Sequence, residues 1–272
     1  MKIALIQQPA SSDKQHNLAR GVKATLAAAQ QGADVVCFAE LAFEPFYPQV
    51  PAAAEFERLA EPIPGPVTEQ FCQLAQELEI VVIPNLFERD KNNTFDSSPV
   101  IDADGTLLGT TRMVHITDYE YFHEQGYYTP GDHGAQVYET RYGKIGVAIC
   151  YDRHFPEYMR ALAVGGADLV VVPQAGSVGE WPDGLYEAEM RVAAFQNGYF
   201  TALCNRVGAE EKLTFAGESF VCDPLGNVIG RAGQGTEEVL ICDLDLKKTE
   251  ASHARQLFLR DRRPELYRTW LG

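Results

Sequence analysis

The 272-residue chain has no two cysteines at Cys-x-x-Cys spacing, no charge-free apolar run approaching the ~20 residues of a membrane-spanning helix, and no serine- and glycine-rich stretch that would act as a linker between domains. The first absence leaves zinc and dithiol redox chemistry without support, so no metal is expected. The second argues against a helical membrane anchor, and the third favours one domain over residues 1–272. Basic residues are also scarce, 23 Lys and Arg against 38 Asp and Glu, for a formal charge of -15. Such a surface repels a polyanion, which removes nucleic acid from the expected partners. There is no repeat of solenoid period. The opening Met1-Lys-Ile-Ala-Leu-Ile enters a strand pattern without the small-residue cleavage site of a signal peptide. The expected location is therefore the cytoplasm, with Cys37, Cys72, Cys150, Cys204, Cys222 and Cys242 as free thiols.

What is present is a substantial apolar fraction, 46%, arranged as alternating strand and helix signals. Residues 2–7 read as a strand and 13–31 as a helix with Leu18, Val22, Leu26 and Ala29 at helical spacing, closed by Gly32. A strand over 34–38, a loop over 45–66, a helix over 67–79 and a strand over 80–84 follow. Strands over 98–102 and 107–113 flank the turn signal Asp104-Gly105. The aromatic segment 119–132 is either a functional lid or an exposed loop packed by its own rings. The alternation resumes with strands over 145–149, 167–173 and 199–205 and helices over 157–164 and 185–197. Strands over 215–222, 228–232 and 239–244 complete the sheet, and the mixed, charged tail from 247 is expected to pack on a partner subunit. The pattern predicts an α/β fold of layered sheets, each covered by helices.

Two strand ends carry groups with chemical potential. Cys150 ends the apolar run Ile145-Gly-Val-Ala-Ile149, and Pro156 suits the first position of the helix after it. Helix N–H groups there would favour a thiolate, although a lone cysteine is most often a core residue. Glu40 stands just past the second strand, where a carboxylate is either solvated or useful.

At this point the sequence resembles the nitrilase superfamily of carbon-nitrogen hydrolases. The matching stretches are Phe38-Ala-Glu-Leu41, Arg112-x-x-His115 followed by Glu124 and Tyr128-Thr-Pro-Gly-Asp132, Gly143-Lys-Ile-Gly-Val-Ala-Ile-Cys-Tyr-Asp152, Phe155-Pro-Glu157, Gly166-Ala-Asp168 and Asn205-Arg-Val-Gly208. They span most of the chain in family order. The resemblance implies a four-layer αββα sandwich, a homodimer or larger homo-oligomer, and no cofactor. It also implies roles: Cys150 as nucleophile, Glu40 as general base and Glu124 as the residue that helps position the substrate. These residue types suit the reaction, because a thiol must lose its proton to attack an amide-like carbon and a shielded carboxylate can accept it. The backbone N–H of Tyr151 is a natural oxyanion donor.

The family's lysine is absent, and Met113 occupies its position. Arg112 should point to the opposite face of its strand, and Lys144 lies too early on the nucleophile strand to take over. Two readings follow: an enzyme that stabilises its intermediate differently, or a catalytically weakened ligand-binding or regulatory homologue. A Cys-His mechanism using His115, His123 or His154 is a rival. The segment Leu185-Tyr-Glu-Ala-Glu-Met-Arg-Val-Ala-Ala194 resembles branches that cleave N-carbamoyl amines and β-amino acids. The expected substrate is accordingly a small amide or ureido compound, with nitrile cleavage as an alternative. Tyr127, Trp181, Tyr186 and Asn205 are candidate pocket walls, and Arg191 a candidate for meeting a substrate carboxylate.

Overall fold

Ile3, Leu5, Val35 and Cys37 face one way and Ala4, Ile6, Val36 and Phe38 the other, as a period of two requires, and both sets are buried. A strand apolar on both faces must be covered on both. The computed structural model, which describes residues 1–270, shows how.

In chain order the elements that matter are β1 (Lys2–Gln7), α1 (Lys14–Gln30), β2 (Val35–Phe38), α2 (Pro66–Leu78), β3 (Val81–Ile83), β4 (Leu86–Asp90), β5 (Asn93–Ile101) and β6 (Leu107–Arg112). There follow β7 (Val137–Thr140), β8 (Gly143–Val147), α3 (Pro156–Val164), β9 (Leu169–Gln174), α4 (Leu185–Asn197), β10 (Phe200–Asn205), β11 (Val207–Ala209), β12 (Thr214–Ala216), β13 (Phe220–Cys222), β14 (Val228–Arg231) and β15 (Glu238–Asp243). One sheet of seven strands runs β15-β1-β2-β3-β5-β4 with β6 on β5, and one of six runs β14-β13-β10-β9-β8-β7. Within each, the central trio is parallel: β1, β2 and β3 in the first, β8, β9 and β10 in the second.

The sheets face each other across a core containing Leu5, Cys37, Ile83, Val147, Val171 and Ala202. Helices α1 and α2 cover the outer face of the first sheet through Leu18, Phe71 and Leu74, and α3 and α4 cover the second through Met159, Leu162 and Met190. The result is the expected αββα order of layers. Local chemistry sets the helix ends. The Asp13 side chain caps α1 by accepting from the His16 amide at 3.0 Å, and Pro156 takes the first position of α3.

Several strands differ from the sequence reading. Strands β4 and β7 are additional, because their mixed polar character hides the alternation, and so is the three-residue β11. The stretch 215–222 divides into β12 and β13, since Gly217 (φ 72°) and Glu218 (φ 55°) take left-handed backbone that a continuous strand cannot hold. The tail begins by docking on its own chain: Arg255 reaches Asp168 at 3.7 Å, and Leu259 packs against the core under α3 and α4.

Candidate active site

Glu40 lies two residues past β2, and Cys150 opens the 3₁₀ turn Cys150–His154 after β8, so each stands at the C-terminal end of a parallel strand. Because β2 lies against β9 and β10 of the opposite sheet, the two ends converge. Both turn sharply in left-handed backbone, Leu41 at φ 45° beside Glu40 and Cys150 itself at φ 41°. For residues with a Cβ this conformation is costly, and such strain gathers at sites whose side chains must be aimed. Glu124 arrives from the short turn Glu124–Gly126, where Thr117 N–H approaches its Oε2 at 3.5 Å.

The Cys150 sulfur and one carboxyl oxygen each from Glu40 and Glu124 lie within 4.8 Å of one another. Both glutamates are fully buried, and Cys150 keeps 5% of its surface open. Neither oxygen of Glu40 has a hydrogen-bond donor. Burial first, and then the charge of Glu124, pushes the Glu40 carboxyl up to about 8, in the range of a useful base near neutral pH. Glu124 is also pushed well above the usual carboxylate range by burial and by Asp96. Burial, then Glu40 and Glu124, raises the Cys150 thiol well above its ordinary value, with Arg153 pulling weakly the other way. Burial and the two carboxyls thus oppose the thiolate that a helix N-terminus would favour. The resting group is a neutral thiol that must hand its proton to a base as it attacks. These three donors could also surround a small cation, but two carboxyls and a thiol without an imidazole match none of the common zinc sets.

Sequence reasoning passed over the support behind the sulfur. Gln174, the buried last residue of β9, directs Nε2 at Cys150 Sγ over 3.2 Å, while its Oε1 accepts from Arg153 at 2.7 Å. Arg153 also donates to the Cys150 carbonyl at 2.8 Å, lies 3.3 Å from Glu189 and stacks its guanidinium 4.6 Å from the Tyr186 ring centre. A polar residue ending the apolar run of β9 was the available signal. Asp96 was passed over too, although Asp-Ser-Ser stands buried in the middle of β5. Glu180 accepts from Tyr119 Oη at 2.6 Å and from Tyr186 Oη at 2.5 Å, and its charge acts on the Cys150 thiol.

The aromatic segment turns Phe122, Tyr127 and Tyr128 into the interior and leaves Tyr121 exposed. Tyr119 stacks on Phe122, while Tyr127 and Tyr128 are buried. Trp181 stands beside Tyr119 and His154 with its Nε1 buried and unpartnered. Tyr127 itself packs edge-on against Phe56 and Phe87, as core aromatics do. The Tyr151 amide lies in the first turn after the nucleophile, where N–H groups have no intrahelical acceptor.

Two candidates have their polar groups committed elsewhere. Arg191 sits half-exposed on α4, its guanidinium held by Glu187 at 3.2 Å and by the Gly226 carbonyl at 2.8 Å. Asn205 spends its amide on backbone, accepting from the Gly176 N–H and donating to the carbonyls of Gly176 and Gly217, so it is a loop latch.

Met113 is fully buried in the core cluster that includes Cys150. Neither Arg112 nor Lys144 covers for it. Arg112 points to the other face and binds Glu88 at 2.6 Å, and Lys144 pairs with Glu139 at 3.0 Å. The histidines are engaged elsewhere: His115 with Asp152 at 2.7 Å, His154 with Glu189 at 2.6 Å and His123 with Asp118 at 3.3 Å. That leaves the carboxyls of Glu40 and Glu124 beside the thiol.

Comparison with known proteins agrees with this geometry. Residues 2–254 match the family described as carbon-nitrogen hydrolase. The chain is 36% identical to the N-carbamoylputrescine amidase of Solanum lycopersicum over 99% of its own length and 94% of that protein's. It superposes on the crystal structure of a carbon-nitrogen hydrolase from Helicobacter pylori with a TM-score of 0.93 at 30% identity, covering 100% of this chain and 98% of that one. It is similar too, with a TM-score of 0.83 and 28% identity over 99% of this chain and 96% of the other, to a mutant of the Nesterenkonia sp. amidase. That mutant carries the acetamide moiety of fluoroacetamide covalently at its active-site cysteine.

Proposed function

Because this chain belongs to the carbon-nitrogen hydrolase family and is an enzyme of amidase type, we propose that Cys150 attacks the carbonyl carbon of a small N-carbamoyl amine or amide, with Glu40 as general base. The observation that carries this is one buried thiol with two buried carboxyls whose reactive atoms lie within 4.8 Å. As sulfur bonds to carbon, the thiol proton passes to Glu40. The C–N bond then breaks and the departing amine takes that proton. Water, deprotonated by the same carboxylate, next releases the acyl or carbamoyl group from sulfur. Glu124 orients the substrate's NH₂ group, and the Tyr151 amide supports the oxyanion.

The charges around the thiol favour an amine-bearing substrate over a ureido acid. Glu180, held by two tyrosines, supplies negative charge near the thiol, whereas Arg191 is too far out on α4 to meet a carboxylate. Trapping on intact protein tests the reading. N-carbamoyl amines should give a Cys150 adduct that accumulates on rapid quenching, while ureido acids and nitriles should give little. An adduct only with nitriles, or none on Cys150, would overturn it.

A second copy of the chain is the proposed partner. Val164 on α3, Val192 and Phe195 on α4 and Phe258 in the tail are exposed apolar groups around one side of the second sheet's helices. We place the protein in the cytoplasm. Six free thiols among the described residues suit a reducing compartment, and no helix there is long and apolar enough to cross a membrane.

A further inference from the structure

Strand β5 puts a carboxyl where its ladder offers no countercharge. Ser97 pairs with Arg112, and one step on the Met113 amide donates to the Asp96 carbonyl at 2.9 Å. Directly opposed residues share a face, with Cβ atoms roughly 5 Å apart. Position 113 is thus where a cation could meet Asp96, and methionine brings none. Asp96 is fully buried. Asn85 Nδ2 binds its Oδ1 at 2.6 Å, while Oδ2 is buried with no donor. The same Asn85 accepts from the Leu41 amide at 2.7 Å, tying Asp96 to the turn that carries Glu40. Asp96 and Glu40 are thus neighbours through one asparagine, and the charge of Glu40 acts on the Asp96 carboxyl.

The groups facing this pair are mostly acidic. Glu124 approaches from the aromatic segment with Tyr128, whose buried phenol is unpartnered, and Cys150 and Asp152 come from the turn after β8. Arg206 lies behind Glu40, but its guanidinium is spent on the carbonyls of Glu40, Leu41 and Glu44 and on the Glu210 carboxylate. Arg153 is on the far side of the sulfur, committed to Gln174 and Glu189. Two neighbouring carboxyls, both fully buried and with the arginines around them committed elsewhere, do not both ionise.

We propose that Asp96 is a positioning residue that shares one proton with Glu40, giving the base a neutral hydrogen-bond donor where the chain has no ammonium. This rests on the assignment of Cys150 and Glu40 above. In the working form Asp96 Oδ2–H donates to the Glu40 carboxylate. The Cys150 proton moves to Glu40 as the S–C bond forms, and leaves it with the amine, so the pair ends each acylation with the one proton it began with. Loss of that last proton sets two carboxylates beside the developing oxyanion, and turnover falls on the alkaline side.

The pH profile of kcat/KM tests this on an N-carbamoyl amine. Asp96→Asn keeps a donor that cannot ionise, so it should hold kcat within about tenfold while losing the alkaline limb; Asp96→Ala, with no donor, should fall about a hundredfold. Met113→Lys, which leaves Asp96 in place, should also abolish the alkaline limb by supplying a permanent donor. An alkaline limb unchanged in both Asp96→Asn and Met113→Lys, or equal kcat in the Asn and Ala variants, would overturn the proposal. Infrared spectra of protein with ¹³C-aspartate give a readout independent of turnover. A protonated aspartic acid band at neutral pH that vanishes in Asp96→Asn supports the shared proton, and its absence from the wild type refutes it. Failure of the underlying reading looks different, since Cys150→Ala would then retain turnover.

Discussion

Glu40 and Glu44 stand four positions apart on either side of one turn, and both are removed from water, with 0% and 1% of their surface exposed. Their oxygens meet opposite fates. Glu44 is held by Lys14 at 3.2 Å, by Tyr47 Oη at 3.0 Å and, more loosely, by the Phe87 amide at 3.4 Å. Glu40 has no donor on either oxygen and faces Glu124, Asp96 and the Cys150 thiol. Burial raises both carboxyls, but at Glu44 the Lys14 ammonium opposes it, whereas Glu40 rises to about 8. A buried carboxyl with its partners supplied serves the fold, and one denied them is left able to take a proton. Arg206 binds backbone carbonyls at both ends of the turn and so fixes the two glutamates in their different settings.

The largest effect should come from exchanging the proton acceptor for an amide. Glu40→Gln should lower kcat/KM by about a thousandfold, the span of a lost general base, while the thermal midpoint stays level or rises. The rise is expected because an amide is easier to bury than a carboxyl without partners. Steady-state kinetics and a melting curve on one preparation check both halves. Glu44→Ala should invert the result. Breaking a buried pair costs about 3–5 kcal/mol, and the low end applies here because Lys14 is half-exposed and keeps Glu61 at 2.9 Å. Denaturant unfolding should show that loss, with kcat of the folded enzyme within about tenfold of wild type. If Glu44→Ala instead abolished activity in a fully folded protein, the contrast between the two glutamates would collapse.

Much of this contrast was legible in the sequence on one side only. Cys150, Glu40 and Glu124 could be named because each sits in a motif of the resemblance, which also implied the αββα order, while two-sided apolar strands alternating with helices gave only layered sheets covered by helices. The partners of those residues could not. Asp96 and Gln174 look like ordinary polar residues in strands, and only the ladder and the sheet packing reveal that one lies opposite Met113 and the other behind the sulfur. Arg191 and Asn205 were read as substrate contacts from their residue type. Whether an arginine on a helix faces a recess or Glu187, and whether an asparagine bonds ligand or backbone, is decided by rotation and loop path that spacing does not encode. Glu44 attracted no notice, for its lysine partner is thirty residues earlier in the chain.

Acid and base conditions sharpen the comparison further. Glu40 binds its proton more tightly in the folded chain, about 8 against an ordinary 4.5, so between those values the native state holds more protons than the unfolded one. Its contribution is fully present below the lower value and is lost as pH rises through the higher. Asp96 and Glu124 are raised in the same direction and add to the slope. Stability should therefore decline from about pH 5 to about pH 8.5, by on the order of 4 kcal/mol from Glu40 alone, and Glu40→Gln should flatten that part of the decline. A wild-type curve that rises over this interval would mean that Glu40 is already ionised in the resting protein.

The smallest change tests whether the satisfied side of the comparison is built from several modest bonds. Tyr47 donates its phenol to Glu44 over 3.0 Å, and its ring also packs near Phe87 at 5.9 Å. Tyr47→Phe keeps the ring and removes only the donor. Since Lys14 and the Phe87 amide still serve the same carboxylate, the loss should be about 1 kcal/mol, the ordinary net value of one hydrogen bond. The pH profile of turnover should not move, because Tyr47 touches Glu44 and not Glu40. A shift of the Glu40 limb in this variant would show that the two carboxyls share one electrostatic network through Arg206, and that their separation into a structural and a reactive group is too sharp.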